Sequence, residues 1–306
     1  MKVISYLKGI PAKNKNAEKS EVLNRFIQGV RANGDEGIAS NDSQWTESDV
    51  AVVQGFVHRN SPASSPHLML RKSVIEHQRI NKKRTVLIDS NLFLYSNTSN
   101  SPFHYLRYSL DGVFPTTGEY FKGEVDPSRW VQIQRDHGVA LRDWRTKGKH
   151  ILICLQRNGG WSMGGLDVMR WLGETIHQIK QHTDRPIVVR AHPGDKRAAQ
   201  YLKINEPGIK ISKNPSIMSD FHKAHATVVY NSSPAVVSAI EGIPTFVTDP
   251  NPKQSQAYDV ANTDLRNIER PKTFERQRWI EEICMSHWKF QELSSGKAWA
   301  HMKKFV

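Results

Sequence analysis

From Ile151 to Leu155 five apolar or near-apolar residues follow one another, and the run stops at the polar, glycine-rich Gln156-Arg157-Asn158-Gly159-Gly160. A short continuous apolar run that ends in turn residues marks a strand buried on both faces, as in a parallel sheet. Leu166, Met169, Leu172, Ile176 and Ile179 then recur at helical spacing. The alternation continues with a strand over 186–190, the turn His192-Pro193-Gly194-Asp195 and a helix over 196–202. A strand over 209–211, a short helix over 216–222 and a strand over 226–230 come next. A helix runs from Pro234 through Ile240, and Gly242-Ile243-Pro244 stops it before the strand Thr245-Phe246-Val247. Strands alternating with helices predict right-handed βαβ crossovers and a doubly wound parallel sheet.

The first half carries the same rhythm less clearly. Strands are predicted over 2–6, 50–56 and 85–89, with helices over 17–32 and 67–81. Residues 90–126 are rich in Asn, Ser, Gly, Pro and aromatics without a clear period, and so long a loop tends to be functional. The polar segment 130–149 is the expected interdomain connection. After Asp249, a loop over 250–257 precedes helical segments that close with 274–290 and 295–304. The expected fold class is α/β, with two Rossmann-like doubly wound domains facing a central cleft. The predicted division is 1–145, 146–285 and a final helix over 286–306.

Length agrees with two domains, since 306 residues divide at ~150 apiece. Hydrophobic residues make up 38% and charged residues 24%, which excludes wholesale disorder. No apolar run approaches the ~20 residues that span a bilayer, and Met1-Lys2-Val3-Ile4-Ser5-Tyr6 reads as a strand rather than a secretory segment. Cys154 and Cys284 are too few for a disulfide framework or a cysteine-rich zinc site. A cytoplasmic, monomeric protein without a membrane partner is expected. Charge adds a positive clue: the net is +13. Its densest run holds Arg59, Arg71, Lys72, Arg79, Lys82, Lys83 and Arg84 against Glu76 alone. Such a run attracts polyanions, or is a solvated basic face.

Three strand ends carry candidate chemistry. In Val229-Tyr230-Asn231-Ser232-Ser233-Pro234-Ala235, two hydroxyls precede a proline placed for a first helical turn. A helix start there offers N–H groups and partial positive charge to a phosphate, or is an ordinary cap. In Val189-Arg190-Ala191-His192-Pro193-Gly194-Asp195, Arg190 supplies a planar fork and His192 an imidazole donor. In Gln156-Arg157-Asn158-Gly159-Gly160-Trp161-Ser162, the glycines allow close approach to an anion. This is neither a P-loop nor a dinucleotide fingerprint, which disfavours NTP hydrolysis and nicotinamide binding. The convergence predicts a nucleotide diphosphate ligand bound without an obligatory metal, because no His/Asp/Glu/Cys cluster has ligand spacing.

At these residues the sequence resembles GT-B glycosyltransferases, particularly bacteriophage-encoded and capsule-type enzymes. Carrying the resemblance are Asp126-Pro127-Ser128-Arg129-Trp130, Trp144-Arg145 with 151–156, and Arg185-Pro186-Ile187-Val188-Val189-Arg190-Ala191-His192-Pro193. To these belong 231–234 through Glu241-Gly242-Ile243-Pro244, and Ile268-Glu269-Arg270-Pro271 with Trp279, Trp288 and Glu292. About half the chain is covered. The resemblance implies an N-terminal acceptor-binding domain, a C-terminal domain for a nucleotide-sugar (a UDP-sugar foremost), and a final helix returning to the N-terminal domain. Carried over, Arg190, His192, Ser232 and Ser233 hold the diphosphate with Asn231 beside them. Arg157 and Gly159 lie against donor phosphate or sugar, and Glu241 binds ribose or is simply exposed. The Glu-x7-Glu pattern of retaining enzymes is absent, so a metal-independent, inverting transfer is implied.

Such a transfer needs a base for the acceptor hydroxyl. The candidates are Asp89, Asp111 and His58; their plain alternatives are a cap, an Asp-Gly turn and a surface residue. The basic run and the phage-type resemblance point to double-stranded DNA as acceptor, at 5-hydroxymethylcytosine or 5-hydroxymethyluracil. In that reading Arg59, Arg71, Lys72, Arg79, Lys82, Lys83 and Arg84 neutralise phosphates while the target base flips out. Phe93, Tyr95, Phe103, Tyr105, Tyr108, Phe114, Tyr120 and Phe121 then stack on bases or fill a core. The alternatives are a capsular or surface polysaccharide precursor as acceptor, and a non-catalytic nucleic-acid-binding module.

Overall fold

Val50, Ala51, Val52 and Val53 are all buried, which a strand tolerates when both faces of its sheet are covered. They belong to the first of two units in a computed structural model that describes residues 1–10, 18–59, 61, 63–95 and 104–306. Unit one is Met1–Gly138 with Ile280–Val306, and unit two is Val139–Trp279. Unit one begins with β1 (Lys2–Tyr6), α1 (Glu18–Ala32), β2 (Glu36–Ser40), β3 (Val50–Gln54) and α2 (Pro66–Ile80). It continues through β4 (Arg84–Asp89), β5 (Tyr105–Leu110) and α3 (Pro127–His137). Helix α3 has clear stops: Asp126 accepts from Ser128 N, Pro127 takes the first turn, and Gly138 ends it at φ 64.

Unit two holds β6 (His150–Cys154), α4 (Val168–Lys180), β7 (Ile187–Arg190), α5 (Ala198–Tyr201) and β8 (Ile209–Ile211). Then come α6 (Ile217–Phe221), β9 (Ala224–Val229), α7 (Pro234–Ile240) and β10 (Thr245–Val247). Its five strands are all parallel, in the order β10-β9-β6-β7-β8. Asp167 caps α4 by accepting from Met169 N and Arg170 N. The apolar stripe of α4, including Trp171, Leu172, Ile176 and Ile179, packs with Ile151, Ile153 and Val189 in the core of this unit.

The chain leaves unit two along α8 (Gln277–Cys284), then forms β11 (His287–Lys289), α9 (Phe290–Ser294) and α10 (Lys297–Met302). The helical pattern predicted over 274–290 breaks here, because His287, Trp288 and Lys289 pair antiparallel with Arg107, Leu106 and Tyr105. Sheet pairing overrides local helical periodicity. The six-stranded sheet of unit one is therefore β11-β5-β4-β3-β1-β2, with β1 to β4 mutually parallel and β5 antiparallel to β4.

Several contacts fasten the last segment to unit one. Arg129 pairs with Glu292 at 2.9 Å, donates to His287 O and stacks over Trp288 at 3.6 Å. Trp299 Nε1 donates to Asp35 Oδ2 at 2.7 Å. A Cβ at Gly29 would collide with the Leu293 carbonyl, so only glycine lets α1 approach this closely.

Strand β5 lies in the segment that the sequence pattern leaves without structure. Five of the aromatics offered there as base-stacking platforms are core instead: Phe93, Tyr105, Tyr108, Tyr120 and Phe121 are 0–4% exposed. Buried rings cannot stack on nucleic acid. Tyr95 and Phe114 are half-buried, and Phe103 lies outside the described residues.

Candidate functional site

In unit two, parallel strands send all their carboxyl ends to one edge, which is where open α/β sheets bind ligands. Strands β7, β6 and β9 are neighbours there, so the outer two are roughly 10 Å apart at normal strand spacing. Their following loops carry His192, Arg157 and Ser232.

A hydrogen-bond network stitches these loops together. Gln156 Nε2 donates to Ser162 Oγ (2.9 Å), while Gln156 Oε1 accepts from Asn231 N (3.3 Å). Asn231 Nδ2 donates to Asp249 Oδ2 (2.7 Å) and to Ser162 O (3.1 Å). On the other side Asp195 accepts from Asn158 N (3.0 Å) and Tyr201 Oη (2.7 Å). Asn231 is thus a buried brace with its amide donors already engaged. Asp249 and Gln156 are the brace's other members, and the sequence pattern singled out neither as a site residue.

Three groups at this edge keep a donor that no protein acceptor takes up or that is exposed to solvent. His192 Nδ1 accepts from Gly194 N at 2.9 Å, which leaves the proton of the neutral ring on Nε2. Burial lowers its basicity, and the nearby Arg157 guanidinium lowers it further, so the ring stays neutral at physiological pH. Arg157 is exposed and lies against the backbone of Gly194, where a Cβ would run into its guanidinium. Ser232 Oγ is buried and has no hydrogen-bond partner. A buried hydroxyl without a partner costs stability. Gly159 is exposed with φ 68, a left-handed conformation that suits glycine.

Other residues of the predicted donor set are placed differently. Arg190 turns inward: it pairs with buried Asp220 at 2.5 Å and donates to Asn214 O and Pro215 O. Its fork is thereby occupied by protein. Glu241 closes the far end of α7, about 12 Å along the helix from Ser233, and pairs with Arg142 at 2.9 Å. Ser233 is itself in helical geometry with no side-chain cap bond, and α7 is only seven residues long. The helix start therefore offers less than the Ser-Ser-Pro pattern promised.

In unit one, the carboxyl edge of β3 and β4 carries two of the three base candidates. Asp89 ends β4, with Oδ2 held by Arg107 at 2.5 Å and Oδ1 accepting from Ser90 N at 2.7 Å. His58 follows β3, with its ring edge-on to Phe56 at 6.4 Å. Asp111 is at the opposite edge. It follows β5 at φ 63, accepts from Thr85 N at 2.8 Å and pairs with Arg84 at 2.7 Å. A turn-closing role accounts for each of those contacts.

The basic run is spread along and beyond helix α2. Helix α2 runs from the carboxyl edge to the amino edge, and Lys72 precedes Arg79 by two turns, about 10 Å along the axis. Arg59 precedes the helix, Arg71 and Lys72 lie near its middle with Arg71 reaching the Gln54 and Gly55 carbonyls, and Arg79, Lys82, Lys83 and Arg84 lie at or past its end. Most are engaged: Lys72 with Ser61 O, Arg79 with Glu76, Lys83 with Asp49, Arg84 with Asp111, and Arg71 with backbone carbonyls.

Among the described residues no group of three His, Cys, Asp or Glu side chains is placed to hold a metal ion, and no helix is long and apolar enough to cross a membrane.

Two parallel-rich α/β units of this kind define the GT-B fold. Solved structures with the same architecture include two KpsC transferases of Thermosulfurimonas dismutans. The beta Kdo 2,4 transferase superposes with a TM-score of 0.58 at 10% identity, over 94% of this chain and 90% of that one. The beta Kdo 2,7 transferase gives 0.52 at 13% identity, over 98% and 99%. The chain matches no protein-family model and no curated protein.

Proposed function

We propose that the protein is a glycosyltransferase whose C-terminal unit binds a nucleotide-activated sugar and whose N-terminal unit presents an acceptor hydroxyl. The carrying observation is the edge of β7, β6 and β9, where a buried hydroxyl without a partner (Ser232), a neutral imidazole N–H (His192) and an exposed guanidinium (Arg157) converge. All three are donors suited to phosphate oxygens. As the bond from sugar to phosphate breaks, negative charge grows on the leaving nucleotide, and these donors stabilise it without reorganising. At the other reactant Asp89 is the general base, with its carboxylate oriented by Arg107 and Ser90 N.

The acceptor is read as a sugar hydroxyl of a surface-polysaccharide precursor. The two KpsC structures are of Kdo transferases, and five of the seven basic residues are already engaged by protein groups. The net charge of +13 favours the second reading, a hydroxymethylated base in DNA. Mass spectrometry after incubation with a panel of nucleotide-sugars and both acceptor types tests the choice. A hexose- or ulosonate-sized increment on the saccharide supports the first reading, and one on the DNA supports the second. Failure to bind any nucleotide-sugar would remove both.

A further inference from the structure

We propose that Arg71 anchors an anion subsite at the carboxyl edge of the N-terminal sheet, shaped to take a carboxylate or phosphate carried by the acceptor. The inference deepens the transferase reading by giving its acceptor an acidic group.

Two glycines clear the path of this one side chain. The stem of Arg71 lies against Gly9, just past β1, 3.2 Å from where a Cβ would sit. Its guanidinium lies over Gly55, just past β3, where φ is +87 and any side chain would strike Nη1. Nη1 donates to Gln54 O (2.9 Å) and Gly55 O (3.1 Å), and Nε donates to His67 O (3.4 Å). These carbonyls fix the plane of the fork but do not neutralise it. Nη2 makes no hydrogen bond to any described residue.

Arg145 and Arg276 also donate to backbone carbonyls, whereas three other inward-turned arginines meet carboxylates. Arg107 meets Asp89, Arg129 meets Glu292 and Arg190 meets Asp220. Arg71 meets no carboxylate among the described residues. Residues 11–17, 60, 62 and 96–103 contain no Asp or Glu, which leaves Glu18 as the one carboxylate whose side chain is not described. Burial lowers the proton affinity of the Arg71 guanidinium, with no acid offsetting it. A half-buried cation held only by dipoles is stabilised when an anion arrives, and a planar fork recognises carboxylate or phosphate in two-point fashion. The position matters as much as the charge: it shares the strand-end edge with Asp89.

The test uses the full chain labelled at arginine, following the Arg71 side-chain N–H resonance by NMR. Sodium glucuronate, inorganic phosphate and glucose are titrated separately, with no donor present. A saturable shift with glucuronate or phosphate, absent with glucose, is expected, and the tighter of the two identifies the acidic group. Arg71→Lys keeps the charge but loses the fork, and about tenfold weaker binding is expected. No saturable response to either anion in the native protein, or an equal response to glucose, overturns the proposal even if the variant fails to fold. Because no sugar is transferred, this outcome is independent of whether the transferase assay succeeds.

Discussion

Asp89 and Asp111 stand at opposite ends of the same antiparallel pair, with Asp89 level with Arg107 and Asp111 just past the Leu110–Val86 pairing. In sequence one precedes and the other lies within the irregular segment 90–126, and they look interchangeable as bases. In the fold, Asp111 stands level with Thr85, four residues or roughly 13 Å along the strand from Asp89. Only Asp89 lies at the carboxyl edge. Asp89→Asn is therefore expected to abolish transfer while nucleotide-sugar affinity is unchanged, read by initial rates and calorimetry on the same preparation. Asp111→Ala should keep transfer and lose stability by about 1–3 kcal/mol, since it frees Thr85 N and puts alanine at positive φ. The reverse pattern would exchange their roles.

Ser232→Ala separates a ligand-binding hydroxyl from a structural one. The hydroxyl makes no protein hydrogen bond and is buried, so its removal should leave the unliganded melting temperature unchanged or slightly raised. Donor affinity should fall by about tenfold, the usual worth of a hydrogen bond to a charged group. A drop in stability with unchanged donor affinity would place Ser232 in the scaffold.

The brace behind these donors makes a different prediction. Asp249→Ala leaves Asn231 Nδ2 without its 2.7 Å acceptor and Asn251 N without its partner. Leaving a buried amide unpaired costs about 1–3 kcal/mol. Because Asn231 also holds Ser162 and Gln156, the loop that carries Arg157 should loosen. Hydrogen exchange across 156–165 is expected to rise, together with weaker donor binding. Unchanged exchange in that loop would mean the brace does not position Arg157.

Much of this unit was readable from the sequence, for a physical reason. Strands buried on both faces leave continuous apolar runs, so the ends of β6, β7 and β9 and the loops after them stand out. The direction of the side chains was not readable. Arg190 finds Asp220 thirty residues away, and nothing local announces that pairing. Strand β5 escaped because Tyr105-Leu106-Arg107-Tyr108-Ser109-Leu110 mixes buried polar with aromatic residues. Without β5, the opposite placement of Asp89 and Asp111 cannot be seen. The partners of the basic run were no more readable: Lys83 finds Asp49 and Arg84 finds Asp111.

Acid should unfold this protein through its histidines before its carboxylates. Burial lowers the proton affinity of His137, His150, His192, His225 and His301, and pushes His287 down to about 3. His287 is the clearest case: Nδ1–H donates to Ile283 O at 2.9 Å and Nε2 accepts from Leu92 N at 3.2 Å, so the folded ring has no room for a second proton. In the unfolded chain the same ring titrates near 6.5. The folded state then binds fewer protons than the unfolded state between that value and about 3, and stability falls as pH falls through this window. At pH 5 one such ring costs roughly 2 kcal/mol relative to neutral pH, by 1.36 kcal/mol per unit. Denaturant midpoints measured from pH 7.5 to 5 should decline steadily. His287→Gln, less stable at pH 7.5, should show a shallower decline, since it has no ring to protonate. Parallel curves for the two proteins would show that His287 is charged in the fold and that its neutral bridge to Leu92 does not form.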